Sequence, residues 1–110
     1  MKEIRAIIRP QKLPRLREVL RSMPGFPGMT VSKAFGCGST LRHAPQNIKE
    51  ELVDFTEKVR VEIIAPDELV DALVDHIVQV ATTGQTGDGL VWVNDVQRAV
   101  FIRKTVGPDS

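Results

Sequence analysis

The sequence predicts a single α+β domain in which an antiparallel sheet carries two helices on one face. Three observations predict it. Strand-like alternation recurs along the chain, two stretches place apolar residues at helical spacing, and the order reads strand, helix, strand, strand, helix, strand. A chain of 110 residues fits one domain with a core of its own.

Residues 3–9, EIRAIIR, set Ile4, Ala6 and Ile8 on one face and Arg5, Ile7 and Arg9 on the other. Pro10 ends this strand. Pro14 suits the first turn of a helix whose apolar side is Leu13, Leu16, Val19, Leu20 and Met23. The segment Pro24-Gly25-Phe26-Pro27-Gly28 stops that helix. A second strand is expected over 29–35, MTVSKAF. From Gly36 to Glu57 the chain is polar and lacks clear periodicity before Ile48, which is long for a hairpin connection. Within it, 47–55 reads as a short helical turn or an extension of the hairpin.

Residues 58–65, KVRVEIIA, alternate well, with Val59, Val61, Ile63 and Ala65 inward. Pro66-Asp67-Glu68 starts the second helix, its acids favoured by the helix dipole. Leu69, Val70, Leu73, Val74, Ile77, Val78 and Ala81 form its apolar stripe. A glycine-rich stretch, Thr83 to Gly89, leads into a strand at 90–94, and 99–103, AVFIR, is expected as a short extra C-terminal strand. This is the ferredoxin-like βαββαβ pattern. Its other sheet face carries Ile7, Ile64 and Trp92 beside charges, which invites an oligomer.

Composition narrows the function. A net charge of +1 gives no basic field for nucleic acid. No apolar run approaches the ~20 residues of a membrane span. One cysteine, Cys37, excludes an internal disulfide and fits a reducing compartment. Met1-Lys2-Glu3-Ile4-Arg5 has no secretory pattern, so the expected location is cytoplasmic.

Gly84, Gly87 and Gly89 admit two readings. They can stop a helix and make an Asp-Gly turn. They can also turn backbone amides toward a bound phosphate. No Lys-Ser/Thr follows them, so this is not a Walker A loop. A free carboxylate repels phosphate, so Asp88 is expected to organise the turn or contact a sugar.

The segments IRAIIRPQKL (4–13), GMTVS (28–32), VDFTEKVRVEIIAPDELVD (53–71), TGQTGDG (83–89) and AVFIRKT (99–105), in this order and spacing, resemble the P-II nitrogen-regulatory signal proteins. The resemblance covers nearly the whole chain, 1–110. It implies a homotrimer that binds ADP, AMP or ATP, with Mg alongside ATP, in clefts between subunits. It makes 36–57 the effector loop, or T-loop, that docks onto transporters, enzymes or regulators. It makes 82–89 the phosphate-holding B-loop and 100–110 the segment closing the site from the next subunit. Under it, Gly87, Asp88 and Gly89 match phosphate contacts, and Arg103 reaches phosphates from a neighbour, a role suited to a guanidinium. Glu62 matches an adenine contact. Gly28, Met29, Thr30 and Ile64 line adenine and ribose, and Gly36 lies at the loop base. Lys58 matches the partner of a 2-oxoglutarate carboxylate.

The chain departs from the family at telling places. Phe35-Gly36-Cys37-Gly38-Ser39 lacks the glutamine that helps hold Mg-ATP and the oxoacid, which puts the 2-oxoglutarate response in doubt. Leu90 and Phe101 stand where the family usually has a lysine and an arginine. Each lost cation removes a contact worth roughly 1.5–3 kcal/mol at a desolvated site, mostly from the outer phosphates. There is no tyrosine, so T-loop uridylylation is impossible. The wording is most similar to a divergent branch associated with heavy-metal efflux; related branches serve bicarbonate uptake or carboxysomes, making bicarbonate a further candidate effector.

Cys37 and His43 suggest a second class of function, a metal-binding or metal-tolerance protein. Two ligands make an incomplete site, so a third would come from Glu50, Glu51, another subunit or a partner. An enzyme is not expected, because no nucleophile–base pair with an orienting group is visible.

Overall fold

The computed structural model describes residues 1–38 and 55–102. Strand β1 (Lys2–Ile8) runs into a 3-10 turn (Pro10–Lys12) and helix α1 (Leu13–Arg21). Strands β2 (Thr30–Gly36) and β3 (Thr56–Ala65) follow, then helix α2 (Asp67–Ala81) and strand β4 (Gly89–Asp95). The four strands form one sheet in the order β2-β3-β1-β4, with every neighbouring pair antiparallel. This is the expected α+β, ferredoxin-like arrangement.

The alternation of the central strands sets the layers. Ile4, Ala6 and Ile8 of β1 and Val59, Val61, Ile63 and Ala65 of β3 are buried on one sheet face. Both helices cover that face. Leu16 and Leu20 of α1 lie one turn apart, and α2 contributes Val70, Leu73, Ile77 and Ala81 along one stripe. Asp67 and Glu68 in the first turn of α2 oppose the positive end of its dipole. Asp67 also pairs with the terminal amine of Met1 at 3.0 Å. At the other end Thr82 caps the helix twice: its amide donates to the Val78 carbonyl at 3.1 Å and its hydroxyl at 2.6 Å.

The opposite sheet face has no helix. In the register, Trp92, Arg5, Glu62 and Thr30 form one row across β4, β1, β3 and β2. Leu90, Ile7, Arg60 and Ser32 form the next. Ile7, Ile64 and Trp92 are only half-buried, and Leu90 is exposed.

Two expectations change in detail. The β2–β3 ladder continues to Gly36 and Thr56, so the connection between paired residues runs from 37 to 55. Residues 39–54 lie outside the described residues, including most of the expected turn at 47–55. The expected C-terminal strand is not formed over 99–102: these residues take no ladder pairing, and Val100 and Ile102 are exposed. Alternation makes a strand only where an edge accepts its hydrogen bonds, and among the described residues none does so for these four. Arg103 lies outside the described residues.

Leu73 is fully buried between α2 and the sheet. Leu73→Ala should lower unfolding stability by about 2–5 kcal/mol, through lost burial and the cavity left behind. Urea denaturation followed by far-UV circular dichroism checks this; a loss under about 1 kcal/mol would contradict the packing described.

Candidate anion site at the glycine loop

The register between β1 and β4 builds the site. Ile8 pairs with Gly89, so the next residues along, Arg9 and Asp88, meet just beyond the ladder. Arg9 Nε donates to Asp88 Oδ1 at 3.2 Å, and Arg9 Nη2 donates to the Thr86 carbonyl at 2.8 Å. From β3, Lys58 Nζ donates to the Gly87 carbonyl at 2.6 Å. Both cations therefore converge on Gly87. A Cβ there would lie 3.4 Å from Arg9 Nη2 and 3.7 Å from Lys58 Nζ, so a side chain would crowd the charged heads. Gly87 also has φ +94°, which side chains rarely adopt.

Asp88 folds the loop back on itself. Its Oδ2 accepts the amides of Thr83 at 2.8 Å and Gly84 at 3.0 Å, and its Oδ1 accepts the Thr83 hydroxyl. These bonds, with Arg9, hold its carboxyl far below the usual carboxylate range, the Thr83 hydroxyl and amide being the largest causes. Asp88 is thus an ionised brace inside the turn. Lys58 is held below the usual lysine range, first by burial, then by the Arg9 charge, with Asp88 opposing. An ammonium has three donors, and the hydrogen bond found for this one among the described residues goes to a single carbonyl. Two cations close enough to disfavour one another form a place where a bound anion lowers the energy of both.

The expected site residues fall into two groups. Gly36, Lys58, Gly87, Asp88 and Gly89 gather at the loop; the stem of Lys58 lies 3.5 Å from where a Gly36 Cβ would be. The second group lies further along β3. Lys58 and Glu62 share one face of the strand, about 13 Å apart at four residues of ordinary rise. Thr30 pairs with Glu62, and Ile64 is half-buried one step beyond. Gly28 has φ +106° with open space around it, and Met29 packs on the core edge. Cys37 is exposed. His43 and Arg103 lie outside the described residues, and among the described residues no three His, Cys, Asp or Glu side chains cluster as metal ligands.

Sequence reading missed Arg9, which it placed only on the outward face of the first strand. The signal was available once an antiparallel β1–β4 pair was assumed, since that pairing carries residue 9 toward the glycines. A cleft of about 680 Å³ lies elsewhere, against Arg17, Arg21 and Phe26, and touches only Gly28 and Met29 of the expected residues. The converging polar groups mark the site better than this open volume does.

Two changes test the loop. At Gly89 a Cβ would fall 1.7 Å from the Ile7 carbonyl oxygen, at φ +109°. Gly89→Ala should therefore break the end of the β1–β4 ladder and cost about 1–3 kcal/mol or more; amide exchange at β4 no faster than in the parent chain would refute this. Asp88 has a depressed folded-state pKa, so its stabilisation is present above the unfolded value of about 3.9 and is lost as pH falls below it. The stability gap between the parent chain and Asp88→Asn should be full at pH 6 and shrink below about pH 4, as read by urea titration; a constant gap would show that the charge is not what matters.

Comparison with known proteins agrees with this architecture. The family model described as "Nitrogen regulatory protein P-II" matches residues 1–106. The chain is 45% identical over 104 residues to nitrogen regulatory protein P-II 1 of Escherichia coli (strain K12), covering 94% of this chain and 92% of that protein. It is 44% identical to nitrogen regulatory protein P-II of Klebsiella oxytoca and 42% identical to that of Haemophilus influenzae, over the same shares. With a match this extensive, the chain belongs to the nitrogen regulatory protein P-II family.

Proposed function

We propose that this P-II protein binds adenine nucleotides in clefts between the subunits of a homotrimer and regulates a partner through residues 36–57. The carrying observation is the convergence of Arg9 and Lys58 on the glycine loop, with Glu62 farther along the same face of β3. Cations and a glycine turn suit phosphates. A carboxylate about 13 Å away along the strand suits a base bearing N–H donors, at the reach of an extended nucleotide. Gly28, Met29, Thr30 and Ile64 would border the base and ribose, and Arg103 would come from the next subunit. The half-apolar open face, with Ile7, Ile64, Leu90 and Trp92, is the surface other subunits would cover.

The protein acts as a regulator rather than an enzyme in this reading. Leu90 is exposed at the first residue after the loop glycines, and Phe101 is partly exposed; neither can donate to phosphate. ADP and AMP are therefore favoured relative to the family's usual ATP grip, and a 2-oxoglutarate response with Mg-ATP is weak. The partner is a membrane transporter of the heavy-metal efflux type. Among the described residues no helix is long and apolar enough to cross a membrane.

Calorimetry with ATP, ADP and AMP tests the reading. The parent chain should bind at least ADP, and Lys58→Met should weaken that binding by roughly tenfold or more, the worth of a charge-assisted contact. No heat with any adenine nucleotide would overturn nucleotide binding. Tight, Mg-dependent co-binding of ATP and 2-oxoglutarate would overturn the proposed preference. A pull-down from membranes with and without each nucleotide tests the transporter.

A further inference from the structure

On the open sheet face, Arg5 stands in an unusual position. It is the cross-strand partner of Glu62 on one side and of Trp92 on the other. Its Nε is buried, 3.1 Å from Glu3 Oε2 and 3.5 Å from Glu62 Oε2, yet among the described residues that nitrogen makes no hydrogen bond. The contact with Glu62 is therefore one of charge rather than of a directed bond. Two carboxylates flank one guanidinium, which leaves a net negative charge in the cluster. Glu62, at the longer distance, keeps its acceptor sites open, since an ionised carboxylate offers about four.

We infer that Arg5 is a positioning residue for base recognition: it holds the Glu62 carboxylate in place as an acceptor, so that the site takes a purine with a 6-amino group and rejects one with a 6-oxo group. The inference rests on the nucleotide-binding reading above and adds the residue that enforces its base specificity. A 6-amino purine brings an N–H donor to the carboxylate. A 6-oxo purine brings a lone pair, and the two acceptors repel. Without Arg5, Glu62 and its diagonal neighbour Glu3, which pairs with Ile64, would share one face with no guanidinium between them. Like charges would then push Glu62 out of its place on the sheet. That displacement erodes the discrimination.

The test is calorimetric titration of ATP, GTP and inorganic tripolyphosphate into the parent chain, Arg5→Met and Arg5→Lys. The parent chain should prefer ATP to GTP. Arg5→Met should reduce that preference by about tenfold or more while tripolyphosphate affinity stays the same. Arg5→Lys, which restores the cation, should recover most of the preference. If Arg5→Met does not fold, Arg5→Gln gives the same comparison with the polar stem retained. An unchanged ATP:GTP ratio in a folded variant overturns the inference and leaves nucleotide binding standing. Equal losses for ATP, GTP and tripolyphosphate also overturn it, because Arg5 would then act on the whole fold. A parent chain that binds no nucleotide overturns the binding reading, and the inference with it.

Discussion

The close approach of Gly89 to the Ile7 carbonyl is the constraint on which the rest of the site depends. Only a residue without a side chain can start β4 there. That contact fixes Ile8 opposite Gly89, and a one-residue slip would turn every side chain of β4 to the wrong face. With the register fixed, Val91 and Val93 face the helices beside Ala6 and Ile4, and Trp92 faces the open side beside Arg5. The same pairing delivers Arg9 to Asp88. Lys2 and Asp95, paired at the far end of the ladder, form an ion pair that secures the other terminus of the register.

β3 joins the core to the site by simple alternation. Its inward residues are the buried apolar ones; its outward residues run Lys58, Arg60, Glu62, Ile64. Cation and carboxylate thus sit on one rigid strand, at a separation set by backbone rise rather than by loop conformation. The glycine loop is stiffened by a different device. An exposed turn with three glycines would be conformationally loose, and the Asp88 carboxylate gathers the Thr83 and Gly84 amides to restrain it.

Much of this was legible in the sequence, for physical reasons that differ by element. The two helices and two of the strands, β1 and β3, carried period-specific burial, and burial is what folding selects. Because a carboxylate and a phosphate repel, Asp88 was expected to organise the turn or contact a sugar, and its bonds to Thr83 and Gly84 make it the brace of the turn. The run at 99–102 misled because its alternation was sound, but a strand also needs an edge to bond, which sequence does not display. Arg9 was missed because its role comes from a loop residue 79 positions away in the chain, brought beside it by the β1–β4 pairing. Arg5 was harder still: outward-facing arginines are usually solvated, and only the folded chain brings Glu62 to the side of Arg5 away from its sequence neighbour Glu3.

The candidate anion site and the connection between β2 and β3 share a physical base, and under the proposed function that is where regulation would arise. Lys58 lies two residues after Thr56, the last paired residue on its side of the connection, and its stem packs against Gly36, the last on the other. Its ammonium meanwhile reaches Gly87. A phosphate competing for that ammonium would change the contact made at the base of the connection, and any state of residues 37–55 that moved Lys58 would change the phosphate's affinity by the same factor. Under the proposed function, Leu90 and Phe101 offer no cation, so more of the phosphate recognition would fall on Lys58 and Arg9. The residue that would sense the nucleotide and the residue at the base of the connection are then one, so coupling between ligand and partner would need no longer path than a single lysine side chain.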